Sequence, residues 1–449
     1  MDPLHASSSY AHEATLAQKL GLAILCLFPL ASIANDFSFR FLNSQAYITT
    51  LFGILLPGLW LLSGNPLRSL RDCAGRAWIL FLLCLGMSAV FSKDVMAAFN
   101  IIGSYAFHSW LPLVYIATFA LTLSDLRKLV LFLIVADVAI IVDSILFGVA
   151  KDLRFRVPGS IFFDNPNDLS LWLLLVAAHA TYLLFEEKVW LKMTGVTILA
   201  TAVALTIRTG GRGAFIALIV FGATAFVLTK RRLRFAILAL VVAALFVILT
   251  PATLVRRLTQ ISVRPELASG GSKAERAALA SQIDRMSLLL QSVKYAFRHP
   301  MLGLGPGQFA TTIEEDFSKK GNSQSGKGSH NVYTQLASEC GIPALVLYVA
   351  VLAITLFSNY RLFQRCTNEP TLREGAALAY CLFASMLVYS VCTLFFSAAY
   401  NSQVPTIAGM SLVLRLAMRE VTAPRRSNAA FPRLRIVPES RGTLSLGSV

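Results

Sequence analysis

The sequence predicts an all-α integral membrane protein, and three observations lead there. Hydrophobic residues make up 56% of the 449 and charged residues 14%, against roughly a quarter charged in soluble domains, and the mean hydropathy is +0.64. Apolar runs long enough for helices recur from Leu16 to Met418 with one long polar interruption. Lys and Arg gather in alternate loops between those runs, the charge signature of a multi-pass topology. A soluble chain of this length suggests about two or three domains; the recurring runs instead describe one membrane domain with one large insertion.

In chain order the runs lie at Leu16–Ala34, Ala46–Ser63, Ala77–Phe91, Ser104–Leu123, Leu129–Phe147, Leu169–Phe185, Trp190–Ile207, Ala214–Thr229, Phe235–Thr250, Ile342–Phe357, Ala376–Phe396 and Val404–Met418. That is about 12 transmembrane helices, several below the roughly 20 residues that cross a bilayer core, so ends extend, spans tilt, or one is re-entrant. The first run follows a weakly charged leader and precedes many others, so it reads as a retained span rather than a cleaved signal.

The basic loops are Arg68, Arg71 and Arg76; Arg127 and Lys128; Lys188 and Lys192; Lys230, Arg231, Arg232 and Arg234; Arg361, Arg365 and Arg373; and the tail from Arg415. All fall on one side of this count. By the positive-inside rule that side is cytoplasmic, with both termini on it, and the insertion between the ninth and tenth runs lies outside. The plan is spans at 1–250, an outside loop at 251–331, spans at 332–419 and a disordered basic tail at 420–449. The formal charge of +16 follows from this topology and needs no nucleic acid. Seven scattered cysteines with no Cys-x-x-Cys pair indicate neither a disulfide framework nor a zinc site. Asp137 and Asp143, inside the fifth run, need a partner, a watery cavity or a proton, and would serve a transporter as proton relays.

Within the insertion, Ser272 and Glu275 have capping-box spacing and mark a helix start. Met286, Leu289, Leu290, Val293 and Phe297 continue it as an amphipathic stripe that must rest on something. Pro300 and the Gly303-Leu304-Gly305-Pro306-Gly307 turn end it. The Gly/Ser/Lys-rich stretch from Lys319 to Ser329 reads as a mobile loop, either a lid or a plain connector. Glu314-Glu315-Asp316 is the one dense acidic cluster outside: a divalent-ion site or a solvated loop.

Four polar segments converge on the outside face. Arg154 to Asp168 is a Gly/Pro-punctuated loop holding Arg154, Arg156, Asn165 and Asn167; it is either a substrate loop or a helix start capped by Asn167 or Asp168. Arg208 and Arg212 flank a glycine turn whose backbone and cations suit an anion, the alternative being Arg side chains reaching lipid phosphates. Arg285, on the amphipathic helix, can clamp a phosphate bidentately or pair with Asp284. His330-Asn331 opens the tenth helix, and a histidine with an ordinary pKa near 6.5 is a natural base for an alcohol. A cation-rich, metal-free site with one histidine suits a leaving group carrying two phosphates.

From Gly159 to Tyr348 the chain resembles the O-antigen ligase and O-antigen polymerase superfamily, which is GT-C-like in architecture. The resemblance rests on Gly159-Ser160-Ile161-Phe162 with Asn165-Pro166-Asn167, on Gly211-Arg212-Gly213-Ala214, and on Asp284-Arg285 ahead of His299-Pro300-Met301-Leu302-Gly303-Leu304-Gly305. It continues in His330-Asn331-Val332-Tyr333 and Glu339-Cys340-Gly341-Ile342. One departure is Gly211, where the family usually has Ser. The resemblance implies a bacterial inner-membrane enzyme with a periplasmic site, no cofactor, an undecaprenyl-diphosphate-linked glycan donor and a lipid A-core acceptor. It implies that Arg212 and Arg285 hold the diphosphate while His330 helps the acceptor hydroxyl attack. The ligase branch is preferred; the alternatives are a polymerase and, from another class, a transporter.

Overall fold

A computed structural model of the chain describes residues 14–43, 47–105, 109, 111–151, 154–229, 232, 273–318 and 328–422. Among these, seven helices are long and apolar enough to cross a membrane, and three shorter apolar helices accompany them. The all-α membrane class holds. The ninth expected span, the lysine-containing stretch 319–327 and the tail beyond 422 lie outside the described residues.

Helix α1 (Leu16–Leu42) starts at a capping box in which Thr15 and Gln18 satisfy each other's amides. It runs two turns past the expected end at Ala34 because its polar residues are neutralised: Arg40 pairs with Asp36 at 3.1 Å and with Asp143 at 2.5 Å. Helix α2 (Ile48–Leu62) packs on it, and α3 (Cys73–Val90) is capped by Asp72, which accepts from the Ala74 amide at 2.9 Å. The run at 104–123, expected as one span, is two helices instead, α4 (Val95–Tyr105) and α5 (Pro112–Phe119). Pro112 restarts the helix because its ring fixes φ and its missing N–H falls where no partner is needed. The carbonyls of Ala117 and Ala120 at the far end of α5 accept from the buried Arg68 at 2.8 and 2.7 Å.

Helix α6 (Leu123–Phe147) leads into a small antiparallel hairpin, β1 (Val149–Lys151) and β2 (Arg154–Arg156), with Val149 opposite Arg156. Then come α7 (Pro166–Leu184), α8 (Val189–Arg208) and α9 (Arg212–Leu228). The insertion contributes α10 (Lys273–Arg298) and α11 (Phe309–Ser318). Helices α12 (Val332–Cys366), α13 (Arg373–Cys392) and α14 (Gln403–Thr422) follow. Helix α10 begins one residue after Ser272 and ends before Pro300, as the capping spacing and the glycine turn predict; α14 outruns the expected boundary at Arg419 by one turn.

Helices α7 and α13 are buried nearly all round and form the centre, with α8 against α7, α12 and α14 against α13, and α3 packed on α12. Trp78, Phe81 and Tyr348 fill one layer of that core, the first two rings 4.9 Å apart. Both intramembrane acids have partners: Asp143 meets Arg40, and Asp137 lies 2.9 Å from His179 Nδ1. All seven thiols are free. Among the described residues, cations of the short basic loops collect at one end of the bundle, where Arg415 grips Asp72 through two nitrogens at 2.5 and 2.9 Å. There, too, Arg127 and Arg373 each reach a glutamate, Glu186 and Glu187, at 3.0 Å.

Candidate functional site at the glycine-turn end

The opposite end gathers the four polar segments. Between α8 and α9 the chain turns at Thr209-Gly210-Gly211. Thr209 closes α8 by donating to the Thr206 carbonyl at 2.7 Å and accepts from the Gly211 amide at 3.3 Å. Gly211 is the N-cap of α9 and carries no side chain to cap it, so the positive helix end is not capped by its own N-cap residue. Arg212 is the first helical residue. A serine here would cap the first-turn amides; at this position a Cβ meets only ordinary contacts, Ser170 Oγ at 3.4 Å being the nearest.

The hairpin and the loop after it are held by their own charges. Arg154 donates to Asn167 Oδ1 at 2.7 Å and to the Thr209 carbonyl at 3.3 Å, joining β2 to the start of α7 and the end of α8. Arg156 pairs with Asp164 at 3.2 Å, and the Arg208 guanidinium lies over the Phe155 ring at 5.1 Å. The cap of α7 is Asn165, accepting from the Asn167 amide at 3.0 Å, rather than Asn167 or Asp168. It takes this role because Pro166, lacking an N–H, fits the first helical position after it. Ser160 fixes the loop: its hydroxyl donates to Asp36 at 3.0 Å and accepts from the Phe163 amide at 2.9 Å. Arg154, Arg156, Arg208, Asn165 and Asn167 therefore build the scaffold of the site.

Helix α10 is docked by the turn that ends it. The amides of Leu304 and Gly305 donate to the carbonyls of Ser338 and Glu339 at 2.9 and 2.8 Å, and the Ile342 amide donates to Pro300 at 2.7 Å. Two glycines permit this approach. A Cβ on Gly303 would stand 2.4 Å from the Glu339 carbonyl, and one on Gly341 would stand 2.3 Å from that of Met301. Gly341 (φ 87°) is also where α12 kinks, exposing the backbone that the turn binds. The Glu339 carboxylate, buried, accepts from the Gly307 amide at 3.1 Å, from Gln335 at 3.3 Å and from the Tyr400 hydroxyl. A satisfied buried acid of this kind is costly to break. Sequence reasoning did not assign Glu339 and Tyr400 to the site; the signal was the carboxylate two residues before a glycine in an otherwise apolar helix.

Helix α11 completes the support, with Leu288 and Tyr295 of α10 against its Phe309 and Ile313. The acidic cluster works as a clasp: Lys93 donates to Glu315 at 2.5 Å, and the Tyr295 hydroxyl donates to Asp316. Burial, then the bond to Asp316 and its charge, push the Tyr295 phenol up to about 12.

His330 sits immediately before α12 with φ 53°, a left-handed conformation that costs a residue with a Cβ roughly 1–2 kcal/mol. Three contacts hold it there: its amide donates to Ser397 Oγ at 3.0 Å, Ser329 Oγ bonds the Asn331 carbonyl at 3.0 Å, and Asn331 caps α12. Asn331 also donates to the Leu394 carbonyl at 3.0 Å, so its side chain is engaged in positioning.

The segment 393–397 brings the separate pieces together. It carries the Leu394 and Ser397 contacts to His330-Asn331, and its Phe395 side chain abuts Gly213, where a Cβ would stand 2.6 Å away. The start of α9 and the start of α12 are thus two walls of one site. The third is α10: Arg285 is partly buried, and its guanidinium is held below its ordinary pKa by that burial and then by the charge of Arg212. Arg285 has no acidic partner among the described residues. A half-buried guanidinium beside a second one, at a helix N-terminus whose N-cap carries no side chain, makes a cationic cluster of the kind that suits an anion.

Residues 196–349, about a third of the chain, match the family model described as O-antigen ligase. The match supports the O-antigen ligase superfamily. It spans Arg212, Arg285, His330 and Glu339, the residues that the geometry brings to one end, and the ligase branch is consistent with it. An O-antigen ligase family segment points to a glycosyltransferase-like enzyme. No curated protein matches the chain.

Proposed function

We propose that the protein is an O-antigen ligase that transfers a glycan from undecaprenyl diphosphate to a sugar hydroxyl of lipid A-core on the periplasmic side of the inner membrane. The observation that carries this reading is the Arg212–Arg285 pair, supported by the family match over the same residues. The two guanidiniums and the α9 amides hold the diphosphate. His330 takes the proton of the acceptor hydroxyl as its oxygen bonds to the anomeric carbon. The bond from that carbon to the phosphate oxygen breaks, and undecaprenyl diphosphate leaves with the electron pair. Charge on the departing diphosphate is stabilised by fixed cations, work that a divalent ion does elsewhere. A direct displacement inverts the anomeric centre.

The test is complementation of a deletion strain with the wild type and with Arg212→Ala, Arg285→Ala and His330→Ala. Ligase action predicts that each variant loses full-length lipopolysaccharide while polymer accumulates on its lipid carrier. Single repeat units on the core would identify a polymerase instead, and intact lipopolysaccharide in all three variants would overturn the reading. With purified protein, transfer that persists in EDTA is the expected result.

A further inference from the structure

Helix α10 has two apolar rows, and only one faces protein. Leu288, Ser292, Tyr295 and Ala296 turn inward, onto α11 and α12. Ile283, Met286, Leu290, Val293 and Phe297 form the other row, which Met301 of the turn extends; their exposure runs from 36% at Val293 to 74% at Phe297. Lys294 and Arg298 are exposed beside this row, and the sequence from Arg285 to Met301 contains no acid. A row this long in contact with water is unusual for a folded surface.

Its height is set by α12. Phe357, Val349 and Val346 form an exposed apolar face on that span, the kind of face that meets lipid tails. One turn further up, Ile342 donates its amide to Pro300, and Gly341 packs on the Met301 carbonyl. On the other side Ser88, near the end of the α3 span, donates to the Glu339 carbonyl at 2.8 Å. The turn therefore lies level with the span ends, which puts the outer row of α10 at the height where the apolar faces of the spans give way to headgroups.

We infer that the outer face of α10 is a lipid-binding surface lying in the headgroup layer, its apolar row in the acyl boundary and Lys294 and Arg298 on lipid phosphates. Amphipathic helices with cations beside a Leu/Phe face bind bilayer interfaces in this way, more strongly when lipids are anionic. Arg285, on the same helix, is thereby held at the depth where a lipid-linked anion presents its head.

The experiment uses full-length protein in nanodiscs, in a Cys73→Ser background that removes the one exposed thiol, with the unsubstituted background as the labelling control. Leu290→Cys and Phe297→Cys are each labelled with bimane. Nitroxide carried at a shallow position on phosphatidylcholine should quench both labels severalfold more than aqueous iodide does, and the ratio should rise when phosphatidylglycerol is included. Stronger quenching by iodide would put the face in water, and protection from both quenchers would put it against protein; either result overturns the inference. The readout does not involve glycan transfer, so it stands or falls apart from the proposed chemistry.

Discussion

The two ends of the bundle handle arginine in opposite ways. At the basic end both buried arginines among the described residues are closed by acceptors: Arg415 by Asp72 and Arg68 by two carbonyls of α5. At the glycine-turn end Arg154, Arg156 and Arg208 are likewise closed, by Asn167, Asp164 and the Phe155 ring, but Arg285 lies near Arg212 with burial against it. A protein selected only for stability would neutralise or remove such a guanidinium, since a desolvated charge near its like is unfavourable. On the proposed function, the contrast separates cations that hold the fold from cations that hold the diphosphate.

Several changes break or sharpen that contrast. Arg285→Ala should lower transfer roughly a hundred- to a thousandfold with a melting temperature equal to or above the wild type. Arg415→Ala should instead destabilise by about 3–5 kcal/mol, because it strands the buried Asp72 charge, and leave turnover per folded molecule intact. Thermal melting and transfer assays on the same preparations separate the two.

At His330 the useful substitution is Asn, which tolerates left-handed backbone. His330→Asn should melt like the wild type yet lose roughly a hundredfold or more in transfer; unchanged transfer would remove the base from the mechanism. Gly213→Ala must displace Phe395 and with it the segment that registers His330, so transfer should fall by up to about a hundredfold while donor binding, read by isothermal titration, persists.

Smaller effects belong to the basic end and the cap. Burial pushes the Asp72 carboxyl up, but the hydrogen bonds and charge of Arg415 outweigh it and leave Asp72 below its ordinary value. A depressed carboxylate stabilises the fold above the unfolded value near 3.9, and that contribution is lost as pH falls through the folded value. The melting temperature should therefore drop on acidification below about pH 4, and less so in Asp72→Asn. Gly211→Ser should add only a few tenths of a kcal/mol by capping α9, with a small loss of donor affinity as the cap competes for the same amides.

Much of this was legible in the sequence because its signals are local. Ser272 and Pro300 bracket α10, the glycines place the turns, and Arg212, Arg285 and His330 stand out as polar residues where spans end. The errors arose where a distant group changed the local outcome. Arg40 and Asp143 lengthened α1, Pro112 broke an apolar run, and Asn165 took the cap of α7 from its neighbours. Glu339 was invisible as a site residue because its value lies in Gly307 and Tyr400, remote in sequence.

By itself the sequence determined the membrane class, the positions of most helices, the amphipathic α10 and the short list of cations. Only the tertiary structure decided which cations are spent on scaffold and which face of α10 is covered. The reason is that apolar periodicity reports a difference between faces, not what each face meets. In a bilayer, lipid tails are as apolar as a protein core, so the row of Met286, Leu290 and Phe297 reads alike whether it packs on helices or on lipid. Charge is ambiguous in the same way until its partner is in place: Arg415 and Arg285 are both arginines at the end of a bundle, and only folding puts Asp72 beside one and Arg212 beside the other.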